Sequence, residues 1–195
     1  ELKSKTSTIQ GDFHERLQRY FTEESYSSKE KRILKAAHYL ATQWEFNILY
    51  KMCPFIRGID NIRQEIEDQI EDHFDLSGVQ KISLGRKTAS FIDLCGQLRF
   101  QKRWSQSPRI PATSVLGHMH IVALLTYISL CQNNASDARK RHGFFAALFH
   151  DLPEVLTRDI TSPIKGAVEG LDSIIKDYET RQMEEKLLPL LPKSW

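Results

Sequence analysis

The amino-acid sequence predicts an all-α protein, and three observations predict it. Apolar residues recur at spacings of three and four in one segment after another. No strand-length alternation of apolar and polar residues competes with that pattern. The breaks between segments fall at Pro, Gly, Asn and Ser, the residues that stop or cap helices. With 195 residues and 41% hydrophobic content, the chain can bury a full core.

Taken in order, Phe13, Leu17, Tyr20 and Phe21 predict a short helix that a Ser-Tyr-Ser-Ser stretch ends. Ser27 followed by Glu30 is a capping-box pattern, opening a helix with Ile33, Leu34, Ala37, Leu40, Ala41 and Trp44 on one face. Pro54 stops it, because proline removes a backbone donor. Ile59, Ile62, Ile66, Ile70 and Phe74 form the apolar stripe of the next helix, and Glu65, Glu67, Asp68, Glu71 and Asp72 form its solvated side. Gly78 to Arg86 reads as a turn-rich or short extended stretch. Helical spacing returns from Ala89 to Trp104, and Pro108 and Pro111 then force a loop. Ser114 or Thr113 caps a helix carrying Leu116, Val122, Leu124, Leu125 and Ile128, ended by Asn133 and Asn134. Asp137 begins another helix through Phe144, Phe145, Leu148 and Phe149. A last helix starts near Pro163 and runs to about Leu188, with a weak point at Gly170.

The net charge of +2 is the remainder of 27 basic and 25 acidic side chains. No global field therefore draws the chain to nucleic acid or to an anionic membrane, and neither is expected as a partner. Cys53, Cys95 and Cys131 are odd in number, widely spaced and set in apolar stretches, as buried thiols in a reducing cytosol would be. A cytoplasmic location is the expectation. The longest contiguous apolar runs, such as 121–125 and 144–149, fall short of the roughly 18 to 20 residues that span a bilayer. No signal peptide is visible. The chain begins at Glu1 without Met and stops at Trp195 straight after a helical pattern, so both natural ends are expected to lie beyond it.

Chemistry concentrates in His150-Asp151-Leu-Pro-Glu154 and the carboxylate of Asp159 that follows. Adjacent helical positions point about 100° apart, so a His-Asp pair grips one ion only at a helix end, where a second helix completes the set. His118, early in the helix that Ser114 opens, is the candidate from that second helix. Two imidazoles and a carboxylate suit a divalent transition metal (Co, Mn, Zn or Fe) better than Ca or Mg. Such an ion activates water near neutral pH, and Glu154, four residues beyond His150, would orient or deprotonate that water. Arg99, Lys102, Arg103 and Arg109 gather on the approach to His118, and Lys165 opens a helix whose exposed N–H groups favour an anion. His120 faces elsewhere, and His14, His38, His73 and His142 read as structural or exposed.

These residues resemble the HD-domain phosphohydrolases, within them the branch of the bacterial 5′-deoxynucleotidases. The resemblance rests on Phe149-His-Asp-Leu-Pro-Glu-Val-Leu-Thr-Arg-Asp159, Pro163-Ile-Lys165, Gly117-His118, and Arg103-Trp104 with the Trp fourteen residues before that histidine. It implies an HD-domain helical bundle over residues 91–195, with residues 1–90 as an N-terminal helical extension packed on it. His118, His150 and Asp151 would be metal ligands, Glu154 would position the attacking water, Arg103 would engage the phosphate, and Asp159 would shape the sugar end. Trp104 would wall the pocket, with Lys165 nearby. The family's last metal ligand, an Asp on a later helix, would fall past Trp195; Asp172 and Asp177 come too early and read as helix-surface carboxylates. The implied activity is metal-dependent hydrolysis of phosphate monoesters, foremost nucleoside 5′-monophosphates. An alarmone, a cyclic dinucleotide or a nucleoside triphosphate on the same site is the alternative substrate class. A catalytically silent nucleotide-sensing or scaffold protein is the alternative of another kind. A small-molecule nucleotide or phosphate ester is the expected partner, and a homo-oligomer is compatible with the sequence.

Overall fold

Serine and glycine set several helix starts in this chain, and helices make up its regular structure. The computed structural model describes residues 2–104, 110–157, 166 and 168–191. Ten α-helices lie among them: α1 Leu2–Thr6, α2 Phe13–Thr22, α3 Ser28–Met52, α4 Ile59–Glu71, α5 Ser77–Ser83, α6 Lys87–Gln97, α7 Val115–Gln132, α8 Asp137–Leu148, α9 Glu154–Thr157 and α10 Leu171–Gln182. A π-helical turn, Met183–Leu187, and a 3-10 turn, Leu188–Leu190, extend α10. The class is all-α, and among the described residues the only ladder-type contact is a single antiparallel bridge between Lys102 and Ser114.

The chain divides into two compact units, Leu17–Ala89 and the remainder, Glu1–Arg16 with Ser90–Trp195. In the first, α3 packs on α4 and α5 around Ala36, Phe46, Ile59, Ile66, Ile70 and Val79. In the second, α7 packs along α8, and a core of Phe91, Leu98, Val115, Met119, Leu152 and Leu187 lies beneath the start of α7. Leu98, Val115 and Leu187 are fully buried there.

Several sequence expectations are corrected. Ser27 precedes α3 but has φ 54° and makes no side-chain cap, so the capping box does not form; a left-handed backbone does not present the hydroxyl to the third amide as an extended one does. Ile33 and Leu34 are exposed, and Ala36 and Phe46 are the buried residues of α3. Residues 77–83 are helical, because burying Val79 outweighs the weak helix propensity of Ser77 and Gly78. Helix α6 stops at Gln97 and not at Trp104; Leu98, Arg99 and Phe100 continue as tight turns, which free Gln101 and Arg103 to pair with the strand-like stretch before α7. Gly170 starts α10 at φ 78° and is not a flaw inside a longer helix. The expected start at Pro163 lies outside the described residues.

Helix α7, with 18 residues and a mean hydropathy of 1.4, is long and apolar enough by length and composition to cross a membrane, which the shorter contiguous runs did not suggest. It packs along α8 and carries His118 and His120 in its first turns.

Candidate metal centre

Ser114 fixes where α7 begins. With an extended backbone, its side chain accepts a hydrogen bond from Gly117 N at 3.0 Å. A Cβ at 117 would come to 3.1 Å of that hydroxyl oxygen, so glycine there leaves the cap room. His118 is the next residue, its amide bonded to Ser114 O at 2.9 Å. The helical hairpin does the rest. His118 lies fifteen residues before Asn133 and His150 fifteen after Ala135, so arms of equal rise return both imidazoles to the same end. Helix α8 enters on a Ser136 cap and stops at Phe149, and consecutive turns (Leu152 N to Phe149 O, Glu154 N to Asp151 O) carry the chain into α9.

The outcome is a tight cluster. One ligating atom from each of His118, His150 and Asp151 lies within 4.8 Å of the others, the one such group among the described residues. Asp151 Oδ2 stands 3.1 Å from His150 Nε2 and 3.5 Å from His118 Nε2, and the two rings are 5.3 Å apart between centroids. His150 Nδ1 is 2.7 Å from the carbonyl of Ala147. A carbonyl only accepts, so Nδ1 carries the proton, and in the neutral ring Nε2 turns its lone pair toward Asp151. Asp151 Oδ2 is itself buried and takes no hydrogen bond. A metal ion beside the two atoms would take a lone pair from each. Two imidazole nitrogens and a carboxylate oxygen, one imidazole oriented by a backbone carbonyl, therefore fit a divalent transition metal.

Arg103 and Glu154 complete the cluster. The Arg103 amide donates to Thr113 O and the Val115 amide to Gln101 O, each at 2.9 Å, which ties Arg103 to the base of α7. Its Nη1 donates to Glu154 Oε1 at 3.1 Å and lies 3.2 Å from Asp151 Oδ2. All three side chains are mostly buried, at 22% exposed for Arg103, 17% for Asp151 and 11% for Glu154, so their charges are poorly screened. Trp104 follows at φ 54°, a conformation uncommon outside glycine, with 38% of its surface exposed. Asp159, Lys165 and Arg109 lie outside the described residues. His120 is exposed, and Asp172 pairs on the surface with Lys176 at 3.6 Å. Sequence reasoning missed the Ala147 carbonyl and the pairing of 101–103 with 113–115, since backbone partners carry no residue-type signal.

A family model for the HD domain matches residues 95–195, more than half of the chain. The chain belongs to the HD-domain family. No curated protein and no solved structure matches it. HD domains bind divalent metals and are generally hydrolases, so membership, together with the His118–His150–Asp151 cluster, supports a metal-dependent phosphohydrolase acting on a small-molecule phosphate ester.

Proposed function

We propose that this HD domain hydrolyses phosphate monoesters, foremost nucleoside 5′-monophosphates, with His118, His150 and Asp151 holding a divalent transition metal. The observation that carries the reading is the gathering of one ligating atom each from His118, His150 and Asp151 within 4.8 Å of one another, with the Nδ1 face of His150 turned to Ala147 O and Nε2 toward Asp151. When bound, the ion supplies a Lewis acid and an acidified water. Glu154, four residues beyond His150 and hydrogen-bonded through Oε1 to Arg103, takes a proton from the attacking water at Oε2. Arg103 offsets charge that develops on the phosphoryl oxygens. The resemblance of the Arg103-Trp104 pair to the deoxynucleotidase branch supports the nucleotide as substrate, and the same resemblance assigns Trp104 and Asp159 to the sugar and Lys165 to substrate binding.

The test is release of inorganic phosphate from a panel of nucleoside 5′-monophosphates with added Co²⁺ or Mn²⁺. Turnover that a chelator abolishes is expected, and no release from any member overturns the reading. Cleavage only of triphosphates, cyclic dinucleotides or alarmones would move the substrate class and leave the metal site in place. His150→Ala should lose bound metal and activity together, whereas Glu154→Gln should keep the metal and slow turnover by about 10²- to 10⁴-fold. Equal metal content in wild type and His150→Ala would sink the ligand assignment.

A further inference from the structure

Arg103 shares its guanidinium between two carboxylates of unequal hold. Nη1 makes a directed hydrogen bond to Glu154 Oε1, yet at 3.2 Å from Asp151 Oδ2 it makes none. Asp151 Oδ2 is also the oxygen that the two imidazole nitrogens approach. One atom thus faces both the fixed cation of the chain and the nitrogens that fit a metal. Taken with neutral imidazoles, the described side chains of Asp151, Glu154 and Arg103 carry one net negative charge among them, and all three are mostly buried. A divalent ion turns that balance to one positive charge, which repels the guanidinium and attracts an anion.

We propose that Arg103 is an internal counter-cation: it neutralises Asp151 while no metal is bound, yields Asp151 to the ion, and is thereby released toward the phosphoryl group. The inference rests on the metal-site reading above and adds its regulation, for anion binding becomes conditional on metal through Arg103. The contact geometry supports this order. Arg103 has a directed bond to Glu154 that can serve as a pivot, its backbone is tied to Thr113, and its contact to Asp151 is undirected and falls on the oxygen that faces the imidazoles.

Calorimetric titration with Mn²⁺ tests it on three proteins: wild type, Arg103→Met and Arg103→Gln. The Gln variant keeps a donor for Glu154 and removes only the charge, so it serves if the Met variant does not fold. A competing cation predicts that either neutral variant binds Mn²⁺ more tightly than wild type, by about tenfold. Inorganic phosphate should bind the wild type only when Mn²⁺ is present, and the variants weakly in both conditions. Unchanged or weaker Mn²⁺ binding in a folded variant overturns the inference, because Arg103 would then be orienting Asp151. Phosphate binding to metal-free wild type as tight as to the loaded protein overturns it as well. A wild type that binds no Mn²⁺ overturns the metal-site reading itself, which keeps the two failures distinct.

Discussion

The Cys95 thiol lies half-buried against the core of Phe91 and Leu98, and burial pushes its pKa up to about 11. The reactive species is the thiolate, which is scarce at that pKa. Alkylation of Cys95 by iodoacetamide at about pH 8 should be slower in the native protein than in denaturant by about two orders of magnitude. Mass spectrometry of the labelled peptides checks this, and equal rates would contradict the burial. At the same scale, the gathering of His118, His150 and Asp151 was legible from residue type and from their places early in one helix and at the end of another, whereas Arg103 was one of four cations on the approach to His118. Arg103 shows where that legibility stopped. Its residue type and neighbourhood pointed to a phosphate, whereas its contacts with Asp151 and Glu154 depend on a fold-back at 113–115 that no local periodicity encodes.

Helices α7 and α8 approach closely because Gly143 has no side chain. A Cβ there would stand 2.5 Å from Leu130 Cδ1 and 3.6 Å from Thr126 Cγ2. A single leucine methyl can swing aside, but the branched side chain of Val meets Thr126 as well. Gly143→Val should therefore destabilise the protein by about 1–3 kcal/mol, as overpacking does. By separating α7, which carries His118, from α8, whose end leads into His150, it should also weaken divalent-ion binding. Urea unfolding and Mn²⁺ titration read the two effects, and Leu130→Ala in the same chain should recover part of each. Most element positions were readable, α7 with its Ser114 cap best of all. Two that were not share one physical cause: tertiary packing decided them. Val79 drew a Ser-Gly start into helix, and the packing of Leu98 with the Lys102–Ser114 bridge ended α6 seven residues early.

Across the whole molecule, the residues that fit a metal belong to one compact unit, while Leu17–Ala89 forms another around its own core. A ligand that binds only the folded state stabilises it by about 2.7 kcal/mol at a hundredfold excess over its dissociation constant. Saturating Zn²⁺ should accordingly slow amide hydrogen exchange in α7, α8 and α9 and leave α3 and α4 unchanged. Equal slowing in both groups would mean that the ion acts elsewhere. The resemblance placed a boundary near residue 90, before its motif residues begin. It gave no hint that the first sixteen residues group with the later half, because an association across some seventy positions leaves no trace in spacing.

The group that orients His150 is the carbonyl of Ala147. It belongs to the peptide chain, and no codon change at 147 deletes it. An alanine scan of this centre would report five side chains and pass over the sixth participant. Drift in the sequence around α8 is likewise free to alter the side chain at 147, provided the last turn keeps its shape. The orientation of the imidazole is thus inherited with the helix end and not with any one amino acid.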